Sequence, residues 1–211
     1  MKLRYVERMV VVSGKKKKKG RGKPPLDREA MVDRLEWAKS EGLHVYVRRW
    51  IRHADLLGGY VTGIGREWLC LACADSGLKL DGWQLVRLKD IQAVRVDFDP
   101  ECLEGRVLRA RGQWPPPVVD VGLDSGADAI RTVGARGMTS LFSEFADPDM
   151  CWVGLLDLVD QRTARLQGID PRGYWDREPR LYDVEDVTRL QFGGGYEESL
   201  ALVAGPVPDR G

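Results

Sequence analysis

Residues 43–71 read LHVYVRRWIRHADLLGGYVTGIGREWLCL, and the stretch they open runs on to Phe98. Val45, Val47 and Ile51 alternate with Tyr46, Arg48 and Trp50, the period of two that sends successive side chains to opposite faces of a strand. A second strand is expected at 57–64, where Gly58, Gly59 and Gly63 mark a sharp bend, and a third at 68–74. After the polar loop 75–82 come a fourth strand at 83–87, a helical turn at 89–91 and a fifth strand at 93–98.

The same succession returns in degenerate form. Gly42-Leu43 lines up with Gly137-Met138, and Gly59-Tyr60-Val61 with Gly154-Leu155-Leu156. After a one-residue slip, Leu88-Lys89-Asp90-Ile91 lines up with Val184-Glu185-Asp186-Val187, and Val94 and Val96 with Leu190 and Phe192. The second set of strands is therefore expected at 138–145, 151–159, 163–169, 180–182 and 189–192. Each set is preceded by a helix. At 27–40, Met31, Leu35 and Ala38 form an apolar stripe that Gly42 ends; at 124–136, Ala127, Ile130 and Val133 do the same before Gly137. Each set closes on another helix, at 100–111 and 196–204.

Five short strands in a unit of this size make a poor flat sheet, and closing them removes exposed edges. The expected fold class is α+β, mainly β, with two tandem five-stranded small barrels, each flanked by helices. The alternative is a pair of open five-stranded sheets stacked on one another. The boundaries follow: a basic tail at 1–25, the first repeat at 26–112, a proline-rich linker at 113–121 containing Gln113-Trp-Pro-Pro-Pro-Val118, and the second repeat at 122–211.

The order of elements resembles the Sm-like and SH3-like small-barrel families, with a helix, five bent strands and a one-turn helix before the last strand. The chain is also similar to a group of bacterial proteins whose second half carries DPD-x-C-[WY]-x-G and FGG-x-YEE segments, here Asp147 to Gly154 and Phe192 to Glu198. That second resemblance brings no activity with it. In Sm-like RNA binders an Ile/Val-Arg-Gly core between the last two strands helps form the RNA pocket. The matching positions here read Val86-Arg87-Leu88 and Tyr182-Asp183-Val184, without the glycine, so no site residue is carried over.

Charge divides the chain in two. Of its 211 residues, the first 23 hold ten basic groups against the single acid Glu7, or +9. An overall charge of +1 then leaves −8 on the rest. An acidic body repels phosphate backbones, whereas the tail attracts polyanions. Lys15, Lys16, Lys17, Lys18, Lys19, Arg21 and Lys23 are thus the candidate polyanion-binding residues, and a solubilising extension is the plainer reading. Met31 is an alternative start that would omit them. No apolar run approaches the ~20 residues of a membrane span, and the N-terminus lacks a signal-peptide core, so a cytoplasmic protein without membrane contact is expected.

The residues carry little recognisable chemistry. Cys70-Leu-Ala-Cys73 is the one metal-like or redox-like pattern, but zinc needs about four ligands, no second such pair exists, and strand geometry sends positions i and i+3 to opposite faces. No cofactor, metal ligand or catalytic residue is assigned. Two histidines offer little for acid–base catalysis, and no nucleophile elbow or phosphate loop is present. Gly193-Gly-Gly195 precedes a helix and would serve as a bend or hold an anion. The acidic loop at 170–186 leaves enzyme chemistry as a third reading. Trp83, Tyr174, Trp175 and Asp176 are the candidate partner-binding residues, because aromatics on barrel loops anchor partners; the alternative is that they cap their own barrel. The expectation is a non-enzymatic binding or scaffold protein acting through a protein partner or self-association, with nucleic-acid association through the tail as the runner-up.

Overall fold

The computed structural model describes residues 27–207. Among these, ten strands form a single antiparallel sheet with four helices on it. The basic tail and its lysines lie outside the described residues.

Helix α1 (Arg28–Ser40) starts where Asp27 caps it by accepting from the Ala30 amide at 2.9 Å, and buries Met31, Leu35 and Ala38. Strands β1 (His44–Arg49), β2 (Leu57–Ile64), β3 (Trp68–Ala74), β4 (Leu80–Arg87) and β5 (Ile91–Val96) follow, with a 3-10 turn at Leu88–Asp90 and helix α2 (Leu103–Ala110) after β5. Helix α3 (Gly126–Gly134) leads into β6 (Met138–Phe142), β7 (Trp152–Leu158), β8 (Thr163–Gly168), β9 (Arg180–Asp183), a 3-10 turn at Val184–Asp186, β10 (Arg189–Phe192) and helix α4 (Gly195–Val203).

The strand order is β5-β1-β2-β3-β4-β10-β6-β7-β8-β9, so the last five strands repeat the order of the first five. Closure into two barrels does not occur. The edges that each barrel would have sealed on itself pair with one another instead. β4 and β10 run antiparallel, with Trp83 opposite Phe192, Gln84 opposite Gln191, Leu85 opposite Leu190 and Val86 opposite Arg189. One open sheet therefore replaces both the closed barrels and the stacked pair of sheets.

Packing gives the reason. β3 is buried on both faces. Leu69 and Leu71 join the core beneath α1, with Val45, Val47, Val86 and Val94. Trp68 and Cys70, on the opposite phase, join the core beneath α3, with Leu85, Ile130, Leu141, Leu166 and Leu190. The second core thus takes a wall from the first half, which the β4–β10 ladder holds in place. A smaller layer on the other face gathers Met138, Val153, Ile169 and Leu200.

The pairing register also revises the internal match. Met138 lies opposite Leu155 as His44 lies opposite Tyr60, and Thr139 opposite Phe192 as Val45 opposite Val96. Met138 therefore takes the place of His44 rather than Leu43. The one-residue difference decides which side chains face inward, and it brings Leu141 to the core position of Val47. β1 also ends at Arg49 instead of continuing to 53, because the register shifts at Arg48/Arg49 and Trp50 donates its amide to the Asp90 carbonyl at 2.8 Å. The connector after α2 packs onto the first half: Trp114 sits edge-on to Tyr60 at 5.0 Å, and the Leu123 carbonyl accepts from the Glu67 and Trp68 amides.

Candidate binding surface and the cleft at the joint

The sequence candidates fall in two separate neighbourhoods. Trp83 is a strand residue at the joint, where its ring stacks on Phe192 at 5.8 Å and its indole N–H donates to the Pro117 carbonyl at 3.2 Å. Tyr174, Trp175 and Asp176 lie in the loop after β8. Asp170 shapes that loop by accepting from the Arg172 and Tyr174 amides at 2.9 and 3.0 Å. Trp175 turns inward, bridging to Ile169 and packing on the Met138–Leu200 layer. Asp176 accepts from Gln167 through its carbonyl and faces Arg180 at 3.5 Å. Tyr174 remains outside, 68 % exposed.

Close by is the end of the sheet. Among the described residues β9 pairs only with β8, and its Leu181 is 65 % exposed. On α4, Leu202 and Val203 are exposed as well. Val203 contacts the loop at Gly173, which places Tyr174 beside this helix. An open edge strand with apolar side chains on one flank offers both main-chain hydrogen bonds and apolar area.

Cys70 faces the second core, with its sulfur 3.2 Å from the Thr62 hydroxyl, and Cys73 is half-buried near the Gly58 carbonyl. Burial pushes the two thiols up to about 11 and about 12. Both therefore stay protonated and weakly nucleophilic. Among the described residues, no three His, Cys, Asp or Glu side chains gather as a metal site. The glycine run before α4 is already filled: the Asp81 carboxylate accepts from the Gly195 amide at 2.6 Å, giving the helix N-terminus its anion from the other half of the chain.

The joint holds the polar residues that sequence reading missed. Arg87, fully buried, donates from Nε to the Val187 carbonyl at 3.0 Å and from Nη2 to the Val184 carbonyl at 2.5 Å, and pairs with Glu67 at 2.8 Å. The arginine of Val86-Arg87-Leu88 therefore holds the two halves together. Deeper in, Arg49 and Glu144 form a two-pronged ion pair with side chains 0 % and 4 % exposed. Thr188 donates its hydroxyl to the same carboxylate at 2.8 Å. Burial alone would raise the Glu144 acid, but the Arg49 hydrogen bonds and the Arg189 charge hold it below the usual carboxylate range.

Arg189 is treated differently. Its side chain is 8 % exposed and its Cζ lies 3.7 Å from the centre of the Phe142 ring, yet its closest carboxylate oxygen, on Glu144, is 3.8 Å away. Its Nε is buried without a hydrogen-bond partner. Arg189 lines a cleft of about 220 Å³ with Phe142, Glu144 and Met150, and the solvent-exposed His53, Asp55 and Asp149 line it as well. His53 holds φ at +62°, an unusual conformation for a residue with a side chain.

No protein-family model matches the chain, and no curated protein matches it.

Proposed function

We propose that the chain is a non-enzymatic binding or scaffold protein of the cytoplasm, built from two tandem units of the Sm-like or SH3-like kind, which engages a protein partner or a second copy of itself. The observation that carries this reading is the open β9 edge, flanked by exposed Leu181 and Tyr174. The repeated strand order, with a helix before the first strand and a 3-10 turn before the last, supports the tandem reading. The buried, protonated thiols support a binding role over nucleophilic chemistry.

Sedimentation velocity over a range of concentrations, together with co-purification, tests the proposal. Association should be seen in one of the two, and Leu181→Lys with Tyr174→Ser should weaken it without unfolding the chain. A protein that stays monomeric and brings down no reproducible partner removes the reading. The runner-up rests on Lys15 to Lys19: salt-dependent RNA or DNA binding that vanishes when residues 1–23 are deleted would favour it.

A further inference from the structure

The buried arginines of the joint differ in how far their donors are used. Arg87 uses three donors and Arg49 makes a two-pronged pair. Arg189 stays protonated, and among the described residues its buried Nε–H has no acceptor while its Nη2 stands 3.8 Å from the Glu144 carboxylate. The Glu144 carboxylate is already taken by Arg49 and Thr188. A buried guanidinium with one long ion-pair contact to Glu144 and an Nε–H left without an acceptor has donors to offer a further anion.

We infer that the cleft at the joint binds a small molecule through a carboxylate that pairs with Arg189, the rest of that molecule being neutral or cationic. The planar guanidinium fork matches a carboxylate at two points. Its orientation is held by the Phe142 ring and by a backbone paired on both sides, to Val86 and to Phe142. Room is available: about 220 Å³ is roughly seven times a water molecule's share of the liquid. The mouth sets the remainder of the ligand. Asp55 and Asp149 repel a second negative charge, which disfavours phosphate esters and nucleic-acid backbones, and they attract an ammonium group. A molecule with a carboxylate inward and an amine outward suits both ends. His53, held at positive φ on the same rim, adds a donor and acceptor there.

The test uses acetate, glycine, methylamine, inorganic phosphate and a single-stranded oligonucleotide as probes of the full chain, read by thermal shift and calorimetry. Acetate and glycine should raise Tm saturably, glycine more, while methylamine and the oligonucleotide do not act at this cleft. Arg189→Met should keep or raise the Tm of the free protein, since it removes the cation in excess of the single Glu144 carboxylate that Arg49 already holds, and lower acetate affinity at least tenfold. A purely structural arginine would instead lower the free Tm. If that variant does not fold, Arg189→Lys keeps the charge without the fork and should still weaken acetate about tenfold. The double change Asp55→Asn, Asp149→Asn should bring glycine down to acetate. The proposal is overturned by a wild-type chain indifferent to both carboxylates, by Arg189 variants that bind acetate normally, or by phosphate binding in preference to carboxylates. An unchanged glycine-to-acetate ratio in the rim variant removes the amine from it.

Discussion

β4 and β9 are the fourth strands of their halves, and they end differently. Trp68 faces Arg87 across the β3–β4 pair; Thr163 faces Asp183 across β8–β9. Arg87 reaches beyond its strand and donates to two carbonyls of the other half, whereas Asp183 can only accept, and it turns back to the Glu185 amide at 3.0 Å. β4 runs for 8 residues and pairs on its far side with β10; β9 runs for 4 and, among the described residues, has no second neighbour. Pro179, just before β9, has no N–H to offer a ladder, and Arg180 turns over the Trp152 ring at 3.8 Å. An arginine in place of an aspartate is thus one of the differences, with strand length and Pro179, between the strand that joins and the one that remains an edge. The β9 edge is short, and its Leu181 stays exposed between the charged Arg180 and Asp183.

The largest effect should come from removing the charge that both halves share. Glu144→Ala leaves Arg49 and Arg189 buried together without a carboxylate, and should cost about 3–5 kcal/mol in urea unfolding. Arg87→Met leaves the Val184 and Val187 carbonyls of the joint unsatisfied and should cost about 2–3 kcal/mol, less because Glu67 can turn to solvent. A loss spread evenly over both cores by hydrogen exchange would sharpen the contrast with β9; a loss confined to one half would break it.

His44 supplies a control away from the joint. Burial lowers its pKa below 6.5, against the pull of Glu104 at 3.7 Å. The unfolded chain then binds the proton more readily than the folded one, so this contribution is intact above pH 6.5 and is lost as pH falls from there toward the lowered value. Stability between pH 7 and 5.5 should decline in the wild type by up to about 1 kcal/mol and less steeply in His44→Gln. The smallest effect is expected at the free edge. Leu181→Lys should change stability by no more than about 0.5 kcal/mol while reducing any association seen by sedimentation.

Much of the local structure was legible. The 43–98 stretch carries period-two alternation, glycine bends and capped helices, and β2 and β3 fall where these signals put them. Local pattern does not name a long-range partner, so the β4–β10 pairing could not be read: four short ladder positions look the same whether a strand meets its own half or the other. A clue was nevertheless present. Trp68-Leu-Cys-Leu-Ala is apolar on both phases, as suits a strand buried on two sides rather than a barrel wall facing water. Arg87 stands on the same phase as Leu85, which points a charge inward, and an inward arginine asks for more acceptors than Glu67 of its own half supplies. Glu144 and Arg189 gave less warning. Their partners come from β1, β6 and β10, and nothing within either segment indicates that they meet.

The double burial of β3 has a consequence for how the chain comes apart. A cut in the connector at 113–121 would not release two independent pieces, because a fragment starting at residue 122 lacks Trp68, Cys70 and Leu85, a wall of its own core. The second fragment alone should be loosely packed, while the first keeps its own core, and mixing the two should restore the native fold by complementation. In the intact chain the strand acts as a common wall, so melting should pass through one transition instead of two.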